Sequence, residues 1–120
     1  PFRDALNSKP GFGNKKTYQM DFRNRNEAFL EVENDIKEGA DIIMVKPGLS
    51  YLDIIRDIRE KFSLPIAVYQ VSGEYSMVKA AAEKGWINEN KIIIEQLTAF
   101  KRAGASMIVS YHSIDIAKSL

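Results

Sequence analysis

Apolar residues along this chain follow two alternating rhythms. Consecutive apolar runs stand at Ile42-Ile43-Met44-Val45, Ile66-Ala67-Val68-Tyr69 and Met107-Ile108-Val109. Runs without polar alternation read as strands buried on both faces. Between them apolar positions recur at the helical period, one inward stripe per segment. The spacing predicts a helix capped by Asn26, with Ala28, Phe29, Val32 and Ile36 inward and Gly39 at its end. Strand 41–46 follows, then a helix over 50–62 striped by Leu52, Ile55, Ile58 and Phe62. Strand 66–71 leads to a helix from about Tyr75 to Lys84, stopped by Gly85. A helix over 89–102 carries Ile92, Ile93, Leu97 and Phe100 and closes at Gly104, before strand 106–111 and a short last helix. Strands and helices alternating over short links are the grammar of an α/β fold with a parallel sheet.

The first 24 residues break this pattern. Pro10, Gly11 and Gly13 punctuate polar Asn7, Ser8, Asn14, Lys15 and Lys16 without an apolar period. A loop this long inside a compact unit is expected to act as a lid over a site, from about Asn7 to Asn24. The chain therefore divides into a lid, 1–24, and one partial domain of βα units, 25–120. It opens on Pro1-Phe2-Arg3 without an initiator methionine, as a trimmed piece of a longer protein would.

Composition removes several classes of function. Of 120 residues, 17 are Lys or Arg and 16 are Asp or Glu, a net charge of +1 that gives no basic field for nucleic acid. No apolar run has the length of a bilayer span, so no membrane partner is expected and the cytoplasm is the expected location. There is no cysteine and one histidine, His112, which excludes disulfides, thiolate metal sites and multi-histidine centres within these residues. His112 receives no role. The four methionines, Met20, Met44, Met77 and Met107, read as core filling.

The chemistry is concentrated where strands end. Ile42-Ile43-Met44-Val45 runs into Lys46, and Pro47-Gly48 stops the strand. The C-terminal end of a parallel strand is where α/β barrels keep their reactive groups. A lysine held there against apolar walls loses hydration of its ammonium, and its free amine becomes available to attack a carbonyl. Alternatively, Lys46 simply leaves the strand for solvent. Gly39-Ala40-Asp41 and Gly104-Ala105-Ser106 precede two strands alike, and equal counting from each glycine lands on Lys46 and on Tyr111. The middle strand ends at Ser72, so Lys46, Ser72 and Tyr111 are expected at one rim of the sheet. Two neutral hydroxyls beside an amine suit a substrate carboxylate, and Arg3, Lys15 and Lys16 suit a second anion. Each has a plainer reading: Ser72 as a helix cap, Tyr111 as a packing aromatic, Lys15-Lys16 as a solvated face.

Together these residues resemble the C-terminal part of the porphobilinogen synthase (5-aminolevulinate dehydratase) family. The resemblance rests on Pro1-Phe2-Arg3-Asp4-Ala5, Lys16-Thr17-Tyr18-Gln19-Met20-Asp21, Met44-Val45-Lys46-Pro47-Gly48 with Tyr51-Leu52-Asp53-Ile54, Tyr69-Gln70-Val71-Ser72-Gly73-Glu74-Tyr75, and Lys101-Arg102-Ala103-Gly104-Ala105. It implies the C-terminal portion of a (β/α)8 barrel, three parallel strands with helices. The implied reaction condenses two 5-aminolevulinate molecules into porphobilinogen in tetrapyrrole (heme) biosynthesis, as a lyase. The resemblance implies Lys46 as the Schiff-base lysine, with Ser72 and Tyr111 holding that substrate's carboxylate. Arg3, Lys15 and Gln19 would bind the second substrate, Lys15 standing where many members carry arginine. It further implies a homo-octamer and an allosteric magnesium at Glu31, which is otherwise an ordinary helix-surface acid. Zinc use is decided by cysteines upstream of these residues, so the lack of cysteine here says nothing about zinc. A second catalytic lysine is expected about ten residues before Pro1, on the preceding barrel strand. Without it, this chain alone is expected to be an inactive barrel fragment or an interaction module. A generic imine-forming aldolase fits Lys46 but leaves Arg3 and Gln19 unexplained.

Overall fold

A computed structural model describes residues 19–120. Among these, three parallel strands, β1 (Ile43–Val45), β2 (Ile66–Gln70) and β3 (Met107–Ser110), pair in the order β1-β2-β3. Val45 lies opposite Val68, and Gln70 opposite Ser110. The helices are α1 (Arg25–Lys37), α2 (Leu52–Lys61), α3 (Ser72–Glu83), α4 (Glu89–Ala103) and α5 (Ser113–Ser119), with a 3-10 turn at Leu49–Tyr51 leading into α2. The alternation expected from periodicity is borne out. No described helix is long and apolar enough to cross a membrane.

The helix stripes decide which sheet face is covered. Val32 of α1, Ile55 and Ile58 of α2 and Phe100 of α4 pack on Ile43, Val45, Ile66 and Val68. Ile55, Ile66, Val68 and Phe100 are wholly buried, each such side chain stabilising the fold by about 1.5–3 kcal/mol. A second cluster, Val78, Ile93 and Ile116, joins α3, α4 and α5. Gly104, just past α4, has φ +128°, a conformation that side-chain-bearing residues rarely adopt, and it turns the chain into β3.

Several local expectations need correction. Burial on both faces holds for β2, at Ile66, Ala67 and Val68, but not for its neighbours: in β1 Ile43 and Val45 are covered while Met44 is 51% exposed, and in β3 Met107 and Val109 are exposed. The described helices cover one face of the sheet, and in a closed barrel the other face is covered by strands from across the barrel. Among the described residues Met44 and Met107 therefore fill no core, and Met20 and Met77 are exposed as well. Asn26 does not cap α1, because a turn at Asp21 starts the helix earlier. There the Arg23 N–H donates to Asp21 Oδ1 (3.0 Å) and the Asn24 N–H to the Asp21 carbonyl (2.9 Å). Helix α3 begins at Ser72 rather than Tyr75 because Glu74 bonds back to the Val71 N–H (2.8 Å) and satisfies an N-terminal donor.

Candidate active site

Strand β1 ends at Val45, so Lys46 is the first residue beyond it, joined to Pro47 by a cis peptide bond. Side chains alternate along a strand, which places Lys46 on the same face as Met44, away from the helices. Continuing the β1–β2 register by one residue sets Lys46 beside Tyr69. Its Nζ lies 6.0 Å from the centre of the Tyr69 ring, at cation–π range. The Tyr69 hydroxyl in turn donates to the Tyr111 hydroxyl at 3.1 Å. That hydrogen bond, together with burial, raises the Tyr69 pKa above its ordinary 10 and keeps its proton in place at neutral pH. Tyr75 packs against the Tyr111 ring at 5.5 Å and the His112 ring at 4.6 Å. The outcome is a line of polar groups on the open face: amine, aromatic ring, then two hydroxyls. The apolar enclosure expected around Lys46 is not built by the described residues, where the lysine is exposed and its neighbour is the Tyr69 ring.

Beneath this face, two buried polar contacts hold the strand ends. Glu74, only 2% exposed, accepts the Gly48 N–H on both carboxylate oxygens (3.1 and 3.0 Å), the Leu49 N–H (2.7 Å) and the Val71 N–H (2.8 Å). Gly48 sits so close to the core that an added Cβ would lie 2.6 Å from the Phe100 ring and 3.0 Å from Val68. At the next strand ends, the buried Gln70 amide donates to Gln96 (2.6 Å) and accepts from the Ser110 hydroxyl (2.6 Å). Ser110 Oγ also accepts the His112 N–H (3.1 Å), and Ser113 Oγ donates to the Ser110 carbonyl (2.7 Å). The turn carrying Tyr111 is therefore fixed from both sides. His112 itself is buried, and burial lowers its pKa below the usual histidine range.

Lys46 and Tyr111 thus share the open face, linked through Tyr69, which sequence reasoning passed over. Ser72 is the first residue of α3, buried, and its hydroxyl has no hydrogen-bond partner among the described residues, so the helix-cap reading of Ser72 does not hold. Gln19 and Glu31 are exposed. Arg3, Lys15 and most of the expected lid lie outside the described residues. No group of three or more His, Cys, Asp or Glu side chains suited to a metal occurs among the described residues. Glu31 therefore offers magnesium one carboxylate, short of a protein-built site. Clefts lie between α2 and α4 and beside α3 near Lys79 and Glu89, and neither is lined by Lys46, Ser72 or Tyr111. Glu74, Gln70 and Tyr75 were also missed. The signal for Glu74 was its place three residues after a strand-ending valine, the spacing of a reciprocal helix cap.

Residues 1–119 match the family model described as delta-aminolevulinic acid dehydratase. The chain is 60% identical over all 120 residues to the delta-aminolevulinic acid dehydratase of Bacillus subtilis and 61% identical to that of Synechococcus elongatus. It covers 37% of the length of each. Among solved structures it resembles the delta-aminolevulinic acid dehydratase (porphobilinogen synthase) of Toxoplasma gondii, crystallised with the reaction product porphobilinogen. That match has a TM-score of 0.92 and 55% identity, over the whole of this chain and 34% of that one. The expected fold class, three parallel strands with helices from the C-terminal portion of a (β/α)8 barrel, is borne out by that likeness and by the one-sided helix cover. The chain belongs to the delta-aminolevulinic acid dehydratase family.

Proposed function

We propose that these residues supply the imine-forming half of a porphobilinogen synthase site, which condenses two 5-aminolevulinate molecules with loss of two waters. The observation that carries this reading is Lys46 at the C-terminal end of β1, on one open face with the Tyr69–Tyr111 hydroxyl pair. Uncharged, the Lys46 amine attacks the substrate ketone to give a carbinolamine, and loss of its hydroxyl as water, with one proton taken up from solvent, leaves a protonated imine. That cation draws electrons from the adjacent carbon, which then gives up a proton to become a nucleophile. Ser72 and Tyr111 hold the carboxylate of this substrate as hydrogen-bond donors. Arg3, Lys15 and Gln19 hold the second substrate. In its working form the protein is a cytoplasmic homo-octamer. Magnesium, if held at Glu31, keeps most of its own waters, and no step runs through it.

The experiment uses a full-length family protein carrying these residues. Lys46→Arg keeps a cation at the strand end but removes the nucleophile, since a guanidinium stays protonated. Pyrrole formation should fall by more than about 10³-fold, as when a nucleophile is deleted, with the circular dichroism spectrum unchanged. Pyrrole formation within about tenfold of the parent's would refute the assignment.

The uncovered sheet face favours a second statement about the 120-residue chain alone: by itself it is a non-catalytic piece. The described strands carry one strand-end lysine, and holding two reactants together supplies about 7–11 kcal/mol that a single anchor cannot. Assayed beside the full-length protein, the isolated chain should form no pyrrole. Comparable turnover would overturn this.

A further inference from the structure

We propose that Glu74 is a positioning residue for Lys46, a role that rests on the imine-forming reading above. Glu74 occupies the third position of α3, where a glutamate ordinarily caps its own helix by accepting one N–H. Only one contact here serves that purpose, Val71 N–H to Oε2 at 2.8 Å. Oε1 is given wholly to the neighbouring loop, accepting Leu49 N–H at 2.7 Å and Gly48 N–H at 3.1 Å, and Oε2 accepts Gly48 N–H a second time at 3.0 Å. The carboxylate thus ties the segment after β1 to the segment after β2, the two places where the candidate site is built.

The loop it grips has little slack. Upstream of Lys46, Val45 is registered against Val68 in the sheet. Downstream, Pro47 has its φ restricted by its ring, and Gly48 is pressed against the Phe100 ring, where a Cβ would meet atoms at 2.6 Å. Lys46 is therefore bracketed by the strand ladder on one side and by the Glu74 clamp two residues away on the other. Hydrogen bonds to an ionised acceptor are about twice as strong as neutral ones, and stronger still away from water. Glu74 is buried, on the helix side of the sheet, while Lys46 is on the open side. It acts on the amine through the backbone and touches no substrate.

The test measures the rate at which borohydride-trappable imine forms on Lys46 at saturating 5-aminolevulinate, per folded molecule of a full-length protein carrying these residues. Glu74→Gln keeps the shape but turns an amide N–H₂ toward N–H donors. The rate is expected to fall about 10²-fold, the cost of a displacement near 1 Å. Glu74→Asp, which restores the carboxylate one methylene short, is expected to lose only about tenfold. A purely structural role would lower the melting temperature and leave the rate per folded molecule unchanged, and that result overturns the proposal. Hydrogen exchange on the unmutated protein can overturn the clamp even if neither variant folds. The Gly48 and Leu49 amides should be protected like those of β2, and exchange as fast as an exposed turn refutes the clamp. An unmutated protein that traps nothing on Lys46 refutes the imine chemistry and this role with it. Trapping in the parent with an undiminished rate in Glu74→Gln refutes the role of Glu74 alone.

Discussion

On the helix side of the sheet, Ile43, Val45, Ile66 and Val68 lie beneath α1, α2 and α4 and are buried. On the other side Met44, Met107 and Val109 are open, and Lys46, Tyr69 and Tyr111 stand in line along the strand ends. In sequence the two sides alternate, and Met44, Met107 and Val109 are as apolar in kind as the residues beneath the helices. The period of two sorts them into a covered and an open side. The buried polar groups differ in how they are satisfied. Glu74 and Gln70 are satisfied from below by backbone and side-chain partners, whereas the Ser72 hydroxyl has none among the described residues. Packing and the residues proposed for the chemistry thus stand on opposite sides of a sheet one residue thick.

Breaking the covered side should have the largest effect. Ile55→Ala removes a wholly buried side chain from the centre of the main cluster and should destabilise by about 2–5 kcal/mol in denaturant titration. Met44→Lys on the open side should change the stability of the isolated chain by less than about 0.5 kcal/mol and reduce its self-association, measured by sedimentation. In a full-length family protein the same lysine would face a closed barrel interior and should disrupt folding. Equal tolerance in both settings would contradict the division into faces.

A smaller effect sharpens the chemical half of the contrast. Tyr111→Phe or Ser72→Ala should weaken substrate saturation at the imine-forming site by about 1 kcal/mol or more, the scale of a hydrogen bond left half-made. If neither change shifts saturation, Tyr111 is a packing aromatic and Ser72 an incidental buried hydroxyl.

The mildest effect concerns acid. Burial depresses the His112 pKa below its ordinary 6.5, so the unfolded chain takes up that proton at a higher pH than the folded one. His112 therefore leaves stability unaffected well above 6.5 and costs stability as pH falls below that value and through the folded-state pKa. Thermal melts should decline more steeply on acidification in the parent than in His112→Phe, whose ring can keep the stacking on Tyr75. Parallel slopes would remove His112 from the acid response.

The elements were legible because their periods are clean. The candidate site was legible in part because an apolar strand that runs into Lys46 and is stopped by Pro47-Gly48 sets a lysine at its C-terminal end, a pattern that a lysine leaving for solvent also produces. The sidedness of the strands was not legible, since Met44 and Val45 look alike until helices are seen to cover only one of them. Glu74 was missed for another reason: a helix expected to start at Tyr75 leaves it outside, and its partners Gly48 and Leu49 lie 26 and 25 residues away. Tyr69 reads as one more strand aromatic, because its partner Tyr111 stands 42 residues on, in the turn after β3. Glu31, expected at a metal site, stands exposed on α1, and Arg3 and Lys15 fall outside the described residues.

The central claim is that Lys46 is the amine that captures substrate. Borohydride reduction of a full-length family protein carrying these residues, in the presence of 5-aminolevulinate, followed by peptide mass mapping, tests it directly. The expected result is substrate mass fixed to the peptide containing Lys46, and its loss from that peptide in Lys46→Arg. Label found only on other lysines would contradict the account.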